Sequence, residues 1–242
     1  MTTGTLFGIG VGPGDPDLIP IKAVRILSTV DLIFTAASTK NDYSLAVDIA
    51  RPHLTEDSVI EKLDFPMSKD REVMEEAWQR HARHIAGVLE AGRSAAFLTL
   101  GDPLTYSTYG YILRHLKSGW PHLVIQTVPG ITSYQAAAAA VNRPLVEGEE
   151  SLLIMSGVHG GERFERLAEK PDNVVFLKAY RNVDGIRQAL EAADMLSGSV
   201  AVTHCSHENE KISTDLRILA QQQPNYWTLI MAQKKRDGFS NA

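Results

Sequence analysis

Short apolar runs alternate with helical patterns along almost the whole chain, which is the signature of α/β architecture with largely parallel sheets. Thr5 to Val11 reads as a buried strand ending in the turn-rich Gly12-Pro13-Gly14-Asp15-Pro16. A helix follows with Ile19, Ala23, Ile26 and Leu27 on one face, then a second strand over Val30 to Thr35. The polar stretch Ser38 to Asp42 reads as a loop, and a short helix from Ser44 ends before Pro52. Val59 to Leu63 predicts a third strand. The clearest helix starts near Ser68 as N-cap and ends at Gly92 as the glycine just past its C-terminus. Its apolar stripe is Val73, Ala77, Ile85, Val88 and Leu89. Ser94 to Leu100 is then a strand, broken by Gly101-Asp102-Pro103, and Thr105 to Lys117 a helix.

Gly119-Trp120-Pro121 marks the best boundary between two self-contained αβ sets. Beyond it come a strand at Leu123 to Val128, a turn at Pro129-Gly130 and an alanine-rich helix at Thr132 to Val141. Strands recur at Leu152–Ser156, Val174–Lys178, Ser199–His204 and Tyr226–Ala232, with helices over Glu162–Ala168 and Asp184–Met195. The pattern thus predicts two α/β domains, residues 1–119 and 120–242, with mostly parallel sheets and a cleft where they meet.

Composition narrows the classes. A chain of 242 residues with 44% hydrophobic and 22% charged residues is an ordinary globular protein. Its formal charge of −5 argues against a large nucleic-acid surface, since phosphate binding needs clustered Lys and Arg. The one basic run, Lys234-Lys235-Arg236, reads as a solvated tail. Cys205 is the only cysteine, so no intrachain disulfide can form and a four-cysteine metal site is excluded. Neither a signal-peptide pattern nor an apolar run of membrane-spanning length is present, and a cytoplasmic location is the expectation.

Three turns carry the candidate chemistry. Gly8-Ile9-Gly10-Val11-Gly12-Pro13-Gly14-Asp15 follows the first strand, where glycines let backbone approach a ligand and aim amides at it. It fails as a dinucleotide fingerprint. Starting from Gly8, the last required glycine falls on Pro13, which has no amide; starting from Gly10, it falls on Asp15, a carboxylate against a pyrophosphate. A tight turn that binds nothing fits this motif equally well. The second turn, Leu98-Thr99-Leu100-Gly101-Asp102-Pro103-Leu104-Thr105-Tyr106-Ser107-Thr108-Tyr109, lies at the carboxyl end of a strand, where open α/β sheets bind ligands. Asp102 could accept from a hydroxyl or amine, although Asp-Pro is also a common turn. In the third, Val128-Pro129-Gly130-Ile131-Thr132-Ser133, Thr132 or Ser133 caps the next helix and could also offer its hydroxyl to a ligand.

Two clusters invite a metal reading and do not sustain it. His204, Cys205, His207 and Glu208 would have to leave a strand to converge, because alternate strand residues point to opposite faces. His81 and His84 sit one helical turn apart among arginines, on an exposed or core-edge face. Neither a nucleophile elbow nor a phosphate-binding P-loop occurs.

In this order and spacing, Gly-Val-Gly-Pro-Gly-Asp-Pro at 10–16, Gly-Asp-Pro at 101–103 and Pro-Gly-Ile-Thr-Ser at 129–133 resemble the tetrapyrrole methylases over nearly the whole chain. Within that family the chain is most similar to the enzymes that methylate C-20 of precorrin-2 or of its cobalt-containing counterpart. The stretches that carry this are Lys22 to Leu27, Ser44-Leu45-Ala46 with Ile49-Ala50, Asp64 to Asp70, and Phe97 to Pro103 running into Tyr106 to Tyr109.

The resemblance implies that S-adenosylmethionine folds into the cleft. Gly101 and Asp102 would hold its amino-acid portion with Thr105 and Tyr106 close by, Thr132 and Ser133 would serve from the second domain, and backbone near Ala179 and Thr203 would frame the adenine. Pro13, counted with the residues that bind the donor, and Asp15 would face the trough that holds the tetrapyrrole, and Tyr109 is a second substrate-side candidate. No residue declares itself as the base for the C-20 proton; Asp15 and Tyr109 are the two to test. A homodimer is implied, with no metal, nucleic acid or membrane partner. The rivals are a methylase of different regiochemistry, a ribosomal RNA ribose methylase, a nucleotide-binding module without catalysis, and the nicotinamide enzyme that Pro13 already disfavours.

Overall fold

The computed structural model describes residues 2–38, 44–66, 68 and 70–235. The Ser38–Asp42 loop expected from sequence therefore lies outside the described residues except for Ser38, as does Arg236 of the basic tail. The chain divides into two compact units, Met1–Thr132 and Ser133–Ala242.

The first unit is built on strands β1 (Thr5–Gly10), β2 (Leu32–Ser38), β3 (Ile60–Phe65), β4 (Ala95–Thr99) and β5 (Val124–Val128). They form one sheet in the order β3-β2-β4-β1-β5, and every neighbouring pair is parallel. Helices α1 (Ile21–Leu27) and α2 (Leu45–Ala50) cover one face, α3 (Arg71–Glu90) and α4 (Tyr109–Gly119) the other. The two-residue strand period explains the layering. Ala95 and Phe97 of β4 join the α3/α4 core with Leu6, Phe34, Ile85 and Leu116, whereas Ala96 and Leu98 join the α1/α2 core with Ile9, Leu27 and Ile49. A strand buried on both faces reads as an unbroken apolar run, as this one does.

α3 shows how local chemistry sets the ends. Its N-cap is Asp70, whose side chain accepts from Glu72 N at 2.9 Å, rather than Ser68; Ser68 Oγ instead accepts from Asp70 N at 2.9 Å, one step earlier. Gly92, at φ +83°, closes the other end as expected: Gly92 N donates to Leu89 O and Arg93 N to Val88 O. α4 starts at Tyr109 rather than Thr105, because Tyr106 takes a left-handed φ of +51°, incompatible with a helical run.

The expected boundary near Trp120 is corrected. β5 lies beyond it, yet pairs with β1 along Thr5↔Val124 to Ile9↔Val128, so the division falls at Thr132.

The second unit holds α5 (Ser133–Ala140), β6 (Leu152–Ser156), α6 (Glu162–Glu165), β7 (Asn173–Leu177), α7 (Val183–Ala192), β8 (Val200–Thr203), β9 (Lys211–Ser213), α8 (Leu216–Ala220) and β10 (Thr228–Gln233). Its sheet, ordered β6-β7-β10-β8-β9, is mixed: only β6 and β7 pair in parallel, while β10 runs antiparallel between β7 and β8. The expectation of mostly parallel sheets holds for the first unit and not for this one. Phe164, Phe176, Ile186, Leu190, Met195 and Ile230 form its core.

Candidate active site

β4, β1 and β5 are parallel neighbours, so their carboxyl ends lie on one edge of the sheet, and each runs straight into one of the three turns singled out from sequence. Gly101 N donates to Gly12 O at 2.7 Å, and Val11 N to Thr99 O at 2.9 Å, which fastens the first turn to the second. Gly10, Gly101 and Gly130 meet backbone to backbone. A Cβ on Gly10 would stand 2.7 Å from Gly130 N and against Gly101 O, and one on Gly130 would strike Gly101 O as well. Gly101 differs from the other two. Its φ of +66° calls for glycine, yet the nearest atoms to a Cβ there are Ile131 O at 3.9 Å and Thr132 Cα at 4.0 Å. Space beside the Gly101 backbone is therefore open.

Asp102 holds the edge together. Its Oδ1 accepts from Leu104 N at 2.9 Å and from the Thr105 hydroxyl at 3.2 Å, and its Oδ2 accepts from Gly130 N at 3.2 Å. Thr105 is thus drawn into the same turn. Tyr106, in its left-handed conformation, remains 56% exposed next to them. Thr132 is buried immediately before α5 and Ser133 is the helix's first residue. Beneath the edge, the Thr99 hydroxyl is buried with no hydrogen-bond partner, a feature the sequence does not signal.

On the first turn, Pro13 is buried and Asp15 half-buried. Asp15 Oδ1 accepts from Asp17 N at 2.9 Å and so caps the short turn Pro16–Leu18. Tyr109 requires a correction. Its ring is fully buried in the α3/α4 core and occupies the space that a side chain on Gly8 would need. Its hydroxyl shares a hydrogen bond with Thr127 Oγ1 at 3.1 Å. Burial raises its pKa above the ordinary 10.0 against the opposing pull of that bond. Tyr109 is thus a support of the sheet, buried in its core.

In the second unit, Ala179 is buried and its amide donates to Thr228 O at 2.8 Å, while Thr203 and Thr228 share a hydroxyl hydrogen bond of 2.9 Å. The histidine cluster is differently engaged: His204 Nε2 meets Asn225 Nδ2 at 2.8 Å, and Cys205 Sγ donates to Ser133 O at 3.5 Å. Desolvation raises the Cys205 thiol to about 12, so it stays protonated. His81 Nε2 lies 2.8 Å from Asp64 O, and His84 pairs with Glu61 at 2.6 Å. No group of three or more metal-ligating side chains converges among the described residues.

The first unit is thus a parallel three-layer α/β unit with three glycine turns on one edge, and a mixed-sheet unit follows it; comparison with known proteins supplies the class. Residues 5–219 match the model of the Tetrapyrrole (Corrin/Porphyrin) Methylases. A cobalt-precorrin-2 C(20)-methyltransferase of Salmonella typhimurium is 30% identical, covering 96% of this chain and 97% of its own. A probable cobalt-precorrin-2 C(20)-methyltransferase of Methanocaldococcus jannaschii is 33% identical over 86% and 85%. Among solved structures, cobalt precorrin-4 methyltransferase superposes with a TM-score of 0.74 at 21% identity, over 95% of this chain and 94% of that one. The chain belongs to the tetrapyrrole methylases. No helix among the described residues is long and apolar enough to cross a membrane.

Proposed function

We propose that this protein transfers the methyl group of S-adenosylmethionine to C-20 of precorrin-2 or of its cobalt-containing counterpart, in cobalamin biosynthesis. The observation that carries the reading is the meeting of the three family turns at Gly10, Gly101 and Gly130 on one sheet edge, in a chain alike end to end to a named C(20)-methyltransferase. S-adenosylmethionine supplies an activated methyl on a sulfonium. The chain has then to hold the donor and the electron-rich meso carbon in line and exclude water, so orientation supplies most of the rate.

In this reading, Gly101 offers open backbone to the donor's amino-acid end and Asp102 positions that backbone, with Thr105, Tyr106, Thr132 and Ser133 beside it. Pro13 is assigned to the donor site with them on family resemblance. Backbone at Ala179 and Thr203 is assigned to the adenine on family resemblance. Asp15 remains the candidate to meet the substrate and take the C-20 proton once Tyr109 is set aside. We propose further that the protein is a cytoplasmic homodimer. Sedimentation at the monomer mass of 26.6 kDa across micromolar concentrations would refute the dimer.

The test is anaerobic single-turnover transfer from labelled S-adenosylmethionine to precorrin-2 and cobalt-sirohydrochlorin in parallel, with the methyl located by NMR. One methyl at C-20 supports the reading, and the faster substrate assigns the metal state. Donor binding without transfer to either overturns the substrate and leaves the family.

A further inference from the structure

The second unit carries a cluster that the assignments above do not use. β7 and β8 end, and β10 begins, on one edge of the mixed sheet, where His204 N donates to Trp227 O. There Lys178 and His204 take left-handed φ values of +57° and +54°, a conformation costly for residues with a side chain and concentrated at functional sites. Tyr226 and Trp227 stand edge to face at 5.3 Å, each more than 40% exposed, and Tyr180 packs on Tyr226 at 5.4 Å. The Lys178 ammonium lies 5.4 Å from the Tyr226 ring and the Arg181 guanidinium 5.3 Å from Tyr180. Among the described residues no carboxylate pairs with either cation.

Two unneutralised cations braced on open aromatic rings match a ligand that is both planar and anionic. The adenine assigned to this edge is uncharged and leaves both cations unanswered. A single nucleic-acid strand would ask for a longer basic track than two cations in a chain of charge −5. We propose that Lys178 and Arg181 bind carboxylates of the tetrapyrrole substrate while Tyr226 and Trp227 contact its ring. The inference rests on the tetrapyrrole reading above and adds the carboxylate receptors that sequence leaves unnamed.

The experiment titrates the full chain with uroporphyrin III, a planar octacarboxylate, followed by its absorption band and by tryptophan emission. S-adenosylhomocysteine and an oligoadenylate are titrated beside it. Lys178→Met and Arg181→Gln should each weaken uroporphyrin about tenfold, the value of one charge-assisted contact, and lower its salt dependence. Lys117→Gln, the same charge change on α4, should leave it unaltered. S-adenosylhomocysteine affinity should be unchanged in all three, which also certifies their folding. Trp227→Phe should remove most of the emission quench. Uroporphyrin binding equal to wild type in both cation variants overturns the inference and leaves the tetrapyrrole reading standing. So does a loss confined to S-adenosylhomocysteine, or one confined to the oligoadenylate. A wild-type protein that binds S-adenosylhomocysteine and no tetrapyrrole overturns the substrate reading itself, and this inference with it.

Discussion

The Asp102 carboxylate reaches from the turn after β4 to the turn after β5, where its Oδ2 accepts the Gly130 amide at 3.2 Å. Its other oxygen is occupied by Leu104 N and the Thr105 hydroxyl. An acid so engaged by its own loops fixes where backbone stands. Asp102→Ala should cost about 1 kcal/mol of stability, the net worth of a partly exposed hydrogen-bond set, and should weaken S-adenosylhomocysteine about tenfold or more by calorimetry. Asp102→Asn has a single side-chain acceptor: kept on Leu104 N, it turns an N–H₂ toward the Gly130 N–H, so the variant should fall between. Unchanged urea midpoints in both variants would mean that Asp102 does not hold the turns.

The glycines divide into two kinds, and substitution should separate them. Gly10→Ala and Gly130→Ala place a methyl into backbone of a neighbouring turn, so each should lose about 3 kcal/mol or fail to fold. Gly101→Ala meets no atom nearer than 3.9 Å. It pays about 1 kcal/mol for an alanine at positive φ, while its methyl stands where a ligand would approach. It should remain folded by circular dichroism with S-adenosylhomocysteine affinity down by more than tenfold. Undiminished affinity would remove Gly101 from the donor site.

Tyr109→Phe tests the structural role of that ring. Loss of the hydroxyl leaves Thr127 without its 3.1 Å partner, at about 1 kcal/mol in a melt or denaturant titration. The pH profile of single-turnover methyl transfer should keep its shape. A lost limb in that profile would restore Tyr109 as a proton carrier.

The three turns were legible because each couples glycine to the end of an apolar run, a pattern contained within a few residues. The partners of those runs were not. Gly119-Trp120-Pro121 breaks the chain convincingly, yet Val124–Val128 returns to β1, and nothing local distinguishes a break between domains from one inside a sheet. Tyr109 looked like a pocket ring because it follows hydroxyl residues; its burial depends on the absence of a side chain at Gly8, far away in sequence. β9, three residues long, is too short to display a strand period. Lys178 and Tyr226 are brought together only by the pairing of β7 with β10, which sequence spacing does not reveal.

His81 should make the first unit sensitive to acid. It is buried on α3 against Phe65, its ring centroid 4.7 Å away, with Nε2 on Asp64 O. Desolvation lowers its pKa from the ordinary 6.5, outweighing the Asp64 hydrogen bond that raises it; Arg80 and His84 lower it further. Above pH 6.5 the imidazole is neutral both folded and unfolded, so it contributes no pH dependence. As pH falls below 6.5 the unfolded chain takes the proton first and binds more protons than the native state, and stability falls with pH. The loss is complete once the pH has passed the lowered folded value. The unfolding free energy should therefore decline as the pH falls below 6.5, and His81→Gln, which keeps a donor toward Asp64 O without a titrating ring, should be less stable at pH 7.5 yet flatter over that range. Parallel urea titrations of the two proteins decide it. A variant whose stability falls as steeply as wild type would assign the acid sensitivity to other groups.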